Sequence, residues 1–310
     1  MEISDDELLR MVDEACEDDD PTRLEEVARV RPDLIAPFHL RLAVSGVFWV
    51  AAFYQGMTEE TAAELVRRAD NPAYLHVLGA SGTRAAVEAI RGWAADPPSW
   101  LTVPLDGAGH AGGWELGPDG ERRDLVSRSA HALDPAADGP IVTGAVTSGP
   151  FGELCGWCEM PLLCLLEADG ALLPGLLAPG PFAVWTCVRC GCYTTYYTEG
   201  GSFAAGQTRP GFLGYEADGW GFPEAEPLRI GAPRPTPWAA SAWSAGNSTL
   251  GGFPDWIQDP EFPACPRCDR TMPFVGMITG SDLWGEAAEG CHYLFHDQEC
   301  GLSAAVYQQS

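Results

Sequence analysis

Cys155-Gly156-Trp157-Cys158 and Cys187-Val188-Arg189-Cys190 are two C-x2-C pairs with 28 residues between them. A C-x2-C turn places two sulfurs on one edge of a tetrahedron, within reach of a zinc ion at bonds of about 2.3 Å. A second pair, one hairpin's length away, supplies the opposite edge. The spacing predicts a four-thiolate zinc site made of Cys155, Cys158, Cys187 and Cys190. Cys192 is an alternative ligand, and Cys164 reads as a core residue.

A third pair, Cys265-Pro266-Arg267-Cys268, is followed by Cys291, His292, His296 and Cys300. Internal comparison selects among these. Cys265 lies 110 positions after Cys155, Cys268 lies 110 after Cys158, and Cys300 lies 110 after Cys190. An offset of 109 from Cys187 reaches His296. The context repeats as well. Met160-Pro161 after the first pair is matched by Met272-Pro273 after the third, and Cys190-Gly191 by Cys300-Gly301. Phe182 and Trp185 lead into one closing pair, Tyr293 and Phe295 into the other. The comparison predicts a second site of Cys265, Cys268, His296 and Cys300, three thiolates and one imidazole, with Cys291 and His292 outside it. Each unit is then a small β module that buries too little surface alone and is stabilised by its metal, because the ligand geometry exists only in the folded state. The expectation is two structural zinc ions in two modules packed with pseudo-two-fold symmetry around shared aromatics.

Other chemistries fit less well. A catalytic zinc keeps an open fourth position, whereas both expected sites are closed. C-x2-C also serves thiol–disulfide exchange, but a second knuckle at hairpin distance and Met160-Pro161 directly after the first point to metal. Gly79-Ala80-Ser81-Gly82 is not the G-x-S-x-G nucleophile elbow and falls between helices. The sequence holds no phosphate-binding loop or dinucleotide fingerprint. His39, His76, His110 and His131 stand apart from one another. No catalytic and no organic-cofactor residue is assigned. Trp238 and Trp243 sit in a loop-rich stretch and read as anchors for a partner.

The fold class expected to position the cysteines is α+β, with a helical N-terminal region followed by a mostly-β, internally duplicated domain. Residues 1–97 read as a helical domain, with short paired helices of the kind that stack in helical repeats. Ser4 and Glu7 form a capping box, Asp20-Pro21 opens a second helix, and a buried third helix runs from Phe38 to Tyr54. Thr58 caps a fourth, Asn71-Pro72 starts a fifth, and Gly82-Thr83 precedes a sixth. Residues 98–150 read as a hairpin, with Trp114–Leu116 against Arg122–Val126, and a Pro/Gly/Ala-rich connector from 132 onward. Residues 151–310 form the duplicated zinc domain, with 200–252 as a long loop laid over it.

The 310 residues carry 44 acids against 18 bases, a net charge of −26, and every base is arginine. Such a field repels nucleic acid and anionic membrane and attracts basic proteins. The opening MEISDDELLR lacks a basic-then-apolar export pattern, and the longest apolar run, Ala43 to Tyr54, is too short to span a bilayer. These features predict a cytoplasmic, reducing setting, in which eleven cysteines serve as metal ligands or free thiols.

Gly251-Gly252-Phe253-Pro254-Asp255-Trp256-Ile257-Gln258, the Cys265/Cys268 pair, Met272-Pro273-Phe274, Gly290, Tyr293-x-Phe295 running to Cys300, and Tyr307-Gln308-Gln309 resemble the uncharacterised bacterial YwqG-like family. With Cys155-Gly156-Trp157-Cys158 opening a first unit, the layout is more distantly similar to the programmed-cell-death-2-like zinc proteins of eukaryotes. His296 departs from that layout by standing where it has a cysteine. The resemblance covers the C-terminal half and implies a chaperone-like role, since the eukaryotic proteins are implicated as dedicated chaperones of a basic ribosomal protein. The functional expectation is a zinc-stabilised protein-interaction module for a basic partner. An enzyme of unrecognised type with structural zinc sites is the alternative.

Overall fold

A computed structural model describes residues 3–17, 20–105, 107–143, 154–211, 226–285 and 288–310. The chain divides into two units, Met1–Asp124 and Leu125–Ser310.

Among the described residues of the first unit there are seven α-helices: α1 (Asp5–Glu17), α2 (Thr22–Val30), α3 (Pro32–Ile35), α4 (His39–Val44), α5 (Glu59–Arg68), α6 (Tyr74–Ser81) and α7 (Arg84–Ala95). Their starts follow from local chemistry. The Ser4 hydroxyl accepts the Glu7 N–H at 3.3 Å, the Thr58 hydroxyl that of Thr61 at 3.1 Å, and the Thr83 hydroxyl that of Ala86 at 3.2 Å. Each satisfies an N–H that the first helical turn leaves orphaned. Val12, Leu24, Leu42, Phe53, Leu65 and Leu78 are fully buried and form the apolar stripes that hold the helices together.

The expected third helix does not run through. It ends at Val44, Gly46 takes φ +94°, and a 3-10 turn at Ala51–Tyr54 completes the segment. Ala43, Val47, Val50 and Ala52 to Tyr54 of the apolar run are core, whereas Val44 and Trp49 are exposed, and Ser45-Gly46 breaks its hydrogen-bond ladder. The hairpin, β1 (Trp114–Leu116) against β2 (Arg122–Asp124), belongs to this unit. The buried Trp114 indole donates to the Gly79 carbonyl at 2.8 Å.

Among the described residues the second unit holds nine strands and a short α-helix: β3 (Ala130–Asp134), β4 (Leu163–Asp169), β5 (Pro181–Thr186), β6 (Thr195–Thr198), β7 (Arg229–Pro233), β8 (Thr249–Gly251), β9 (Phe274–Thr279), α8 (Gly280–Trp284), β10 (Cys291–Asp297) and β11 (Leu302–Gln308). Seven form one antiparallel sheet in the order β6-β11-β10-β9-β8-β3-β7, while β4 and β5 pair separately. The α+β class stands, and the boundary between the units falls inside the segment 98–150 read as hairpin and connector. β3 lies in the segment expected to be a connector, and β7 and β8 lie in the expected loop. Residues 144–150 of that connector and 212–225 of that loop fall outside the described residues.

The duplication is carried down to strand register. β4 pairs β5 with Asp169 opposite Pro181, Ala168 opposite Phe182 and Glu167 opposite Ala183. β9 pairs β10 with Thr279 opposite Cys291, Ile278 opposite His292 and Met277 opposite Tyr293, each residue displaced by 110. Both pairs shift register at the same place, between Cys164 and Leu166 in one and between Leu294 and Phe295 in the other. A shared bulge is a feature of a common backbone plan, because it re-aims the strand beyond it.

Candidate metal centres

Each module opens on a knuckle with one backbone pattern. The Cys155 N–H donates to the Met160 carbonyl and the Glu159 N–H to the Cys155 carbonyl, both at 2.8 Å. In the second module the Cys265 N–H donates to Arg270 and the Asp269 N–H to Cys265, again both at 2.8 Å. Isolated bridges, Leu154 with Pro161 and Ala264 with Thr271, close the two loops. Each closing pair sits at the end of the module's second strand, Cys187 just after β5 and Asp297 as the last residue of β10, so a two-strand ribbon carries it to its knuckle.

The ligand atoms of Cys155, Cys158, Cys187 and Cys190 lie within 4.8 Å of one another. The Cys158 and Cys187 sulfurs are 3.4 Å apart. A tetrahedron with zinc–sulfur bonds of about 2.3 Å has edges of about 3.8 Å, so the four thiols fit the ion closely. Cys155, Cys187 and Cys190 are buried, and they pack with Trp157, Leu162 and Tyr197, with Tyr193 and Phe203 against them. The Tyr197 hydroxyl donates to the Cys155 sulfur at 3.7 Å. Hydrogen bonds from Cys187 and Cys190 hold the Cys155 thiol far below its ordinary range. Those same contacts push Cys187 up to about 12 and Cys190 up as well. Further ionisation needs a cation at the centre, since like charges in one site disfavour each other.

At the second centre the structure brings together Cys265, Cys268, Asp297 and Cys300, again with all ligand atoms within 4.8 Å. His296, the fourth ligand expected from the sequence, is not among them. Neighbouring residues of a strand point to opposite faces, so His296 and Asp297 cannot both face the knuckle. The His296 ring is fully buried and stacks on Phe182, with ring centroids 5.2 Å apart. Its Nε2 lies 3.6 Å from a Glu199 carboxylate oxygen, and burial pushes its pKa down to about 4. Asp297 faces the cysteines. The Cys268 thiol donates to Asp297 Oδ2 at 3.2 Å, and the Cys300 N–H donates to Oδ1 at 3.2 Å. Burial opposes ionisation of Asp297. The thiol hydrogen bonds of Cys265 and Cys268 and the Cys300 N–H outweigh it and hold the carboxyl below the usual range. Partial burial, followed by contacts with Cys268 and Cys265, pushes the Cys300 thiol up to about 12.

The signal for Asp297 was present in the sequence. The offset of 110 that links the other three ligand pairs, applied to Cys187, lands on Asp297. An imidazole one position away is the more familiar zinc ligand, and it misdirects the comparison.

The other cysteines serve elsewhere. Cys164 is buried, which pushes its thiol up to about 12. Cys291 is buried in β10, and Cys192 is exposed and outside the first cluster. None of the eleven cysteines is disulfide-bonded. His292 is buried in β10, tilted against Tyr307. Among the described residues no helix is long and apolar enough to cross a membrane.

No protein-family profile matches the chain. No solved structure matches it. It is 32% identical over 244 residues to a protein of Salmonella typhimurium (strain LT2) described as the uncharacterized protein YpfL. The alignment covers 74% of this chain and 56% of that protein, so the chain spans about half the length of the relative it matches.

Proposed function

We propose that the protein is a zinc-stabilised interaction module that holds a basic protein partner in a chaperone-like way. The observation carrying this reading is the pair of four-residue clusters at repeat-equivalent positions, Cys155/Cys158/Cys187/Cys190 and Cys265/Cys268/Asp297/Cys300. Thiolate-rich sets with four protein ligands suit zinc, and a filled tetrahedral shell builds structure rather than binding substrate. The net charge of −26 supports a cationic partner. Trp243, 63% exposed, supplies an aromatic anchor. The resemblance to the YwqG-like and programmed-cell-death-2-like proteins points the same way.

The test is affinity capture with the intact chain from cytoplasmic extract, repeated over a salt series. One or a few high-pI proteins should be retained at low salt and lost steeply as salt rises, because charges at a wet interface are screened over about 8 Å at physiological ionic strength. Partners whose retention ignores salt would reject the electrostatic mechanism.

A second reading, an enzyme with structural zinc, draws on one cavity of about 230 Å³ lined by Thr186, Cys192, Trp284, His292 and Tyr307 among others. Burial keeps His292 neutral, with its pKa pushed down to about 4. Retention of a small molecule there through native purification would move the assignment to this reading.

A further inference from the structure

The two centres differ in ways that bear on metal exchange, and we infer that the second is an exchangeable zinc site in which Asp297 is the yielding fourth ligand, while the first holds its metal permanently. The inference rests on the reading that zinc occupies both clusters.

Three observations carry it. The first is the donor set. Cys187 and Asp297 are repeat equivalents, and the second centre has a carboxylate where the first has a thiolate. Four thiolates suit a borderline-soft ion, and a hard oxygen in one position is the weaker partner. A carboxylate can also rotate between one and two contacts, which gives an incoming ligand room to enter.

The second observation is access. Three of the four cysteines at the first centre are buried under Trp157, Tyr193 and Phe203. At the second centre Cys268 and Cys300 are only half-buried. Arg270 stands over this edge, its Nε donating to the Cys268 sulfur at 3.5 Å and its Nη2 to Glu299 at 2.6 Å. Arg267 Nη1 donates to the Cys300 carbonyl at 2.6 Å. The repeat equivalents of Arg267 and Arg270 in the first module are Trp157 and Met160. An apolar wall there is replaced here by a polar, water-exposed rim.

The third observation is what remains once a metal leaves. The ligand sulfurs of the first module are themselves members of its apolar cluster, and the ribbon β4–β5 that leads to its closing pair stands apart from the seven-stranded sheet, which this module joins through β6 alone. The second module's strands are integrated in the seven-stranded sheet. Trp256 there stacks on Tyr293, with ring centroids 4.4 Å apart, and Phe262 and Phe274 pack on Phe295 at 5.7 and 5.9 Å. This module has an aromatic core that does not depend on its ion, so it can release zinc and stay folded.

The experiment follows zinc released from the full-length protein into an excess of a coloured chelator, with circular dichroism recorded alongside. The expected result is one zinc leaving fast and one slowly, with native secondary structure kept through the fast phase. Asp297→Cys should slow the fast phase by about tenfold or more, the scale on which changes around a metal alter its hold. Cobalt replacing zinc in the unmutated protein gives a second readout that does not depend on a variant folding. The second equivalent should add roughly three quarters of the thiolate charge-transfer absorbance of the first, three sulfurs against four. Equal absorbance steps, a single release rate for two zinc ions, or an unchanged fast phase in a folded Asp297→Cys protein would overturn the inference. Folded protein carrying no zinc would instead overturn the reading on which it rests.

Discussion

Thr195 and Ala305 sit directly opposite each other in the antiparallel pairing of β6 with β11, and they are also 110 positions apart, the spacing that relates the two modules. When repeat equivalents face one another across antiparallel strands, a local two-fold axis passes between them. The pairs beyond, Tyr196 with Ala304 and Tyr197 with Ser303, run away from that point. The two modules are thus joined through equivalent strands. Thr195 and Ala305 are both buried at the junction. Ala305→Leu inserts three carbons where a methyl now fits, and should cost about 1–3 kcal/mol in denaturant unfolding at fixed zinc. An unchanged midpoint would mean that the junction is loosely packed.

Glu159 and Asp269 adopt φ of 62° and 60° and are the non-glycine residues with positive φ among those described. Each follows the second cysteine of an opening knuckle. The left-handed conformation costs an L-residue about 1–2 kcal/mol, and β-branching makes it worse. Asp269→Val should therefore be less stable than Asp269→Gly by about 1–2 kcal/mol, and the same order should hold at Glu159. Equal melting of the two variants would show that the knuckle does not enforce this turn.

The capping hydroxyls of Ser4, Thr58 and Thr83 were legible in the sequence because a cap is a local interaction that declares itself within three residues. The cysteine spacing was legible because the geometry of a four-coordinate metal site is strict. The strands β3, β7 and β8 were not, since Ala130–Asp134, Arg229–Pro233 and Thr249–Gly251 are short and carry little alternation; they are strands because the sheet gives their backbones partners. The choice between His296 and Asp297 depended on which face of β10 meets the knuckle. The seven residues of that strand are all buried, so burial pattern gives no clue to face. Only the repeat offset carried that information.

Gly79 in the Gly79-Ala80-Ser81-Gly82 stretch serves packing. A Cβ added there would lie 1.9 Å from the Ala108 backbone carbonyl oxygen. The same residue's carbonyl accepts the Trp114 indole. Gly79→Ala should destabilise the first unit by about 1–3 kcal/mol, seen as an earlier thermal transition, because backbone must shift to admit the methyl. A neutral substitution would contradict the close approach.

His39 is buried in the first unit beside Tyr54, with ring centroids 6.0 Å apart, and burial pushes its pKa down to about 4. The unfolded chain takes up this proton near pH 6.5 and the folded one only near 4. Stability is therefore full above pH 6.5 and is lost as the pH falls toward 4, by up to about 3 kcal/mol. His39→Phe should flatten that part of the stability–pH curve. A slope that persists unchanged between pH 6.5 and 4 would assign the dependence to other groups.

The central claim, two four-ligand metal centres in one chain, meets its most direct test in metal analysis of the full-length protein purified without added metal. The account predicts about two zinc ions per chain. It predicts about one in His296-containing protein carrying Cys300→Ser, and about two in His296→Gln, because Asp297 rather than His296 faces the second cluster. Zinc near zero in natively folded protein would contradict the account.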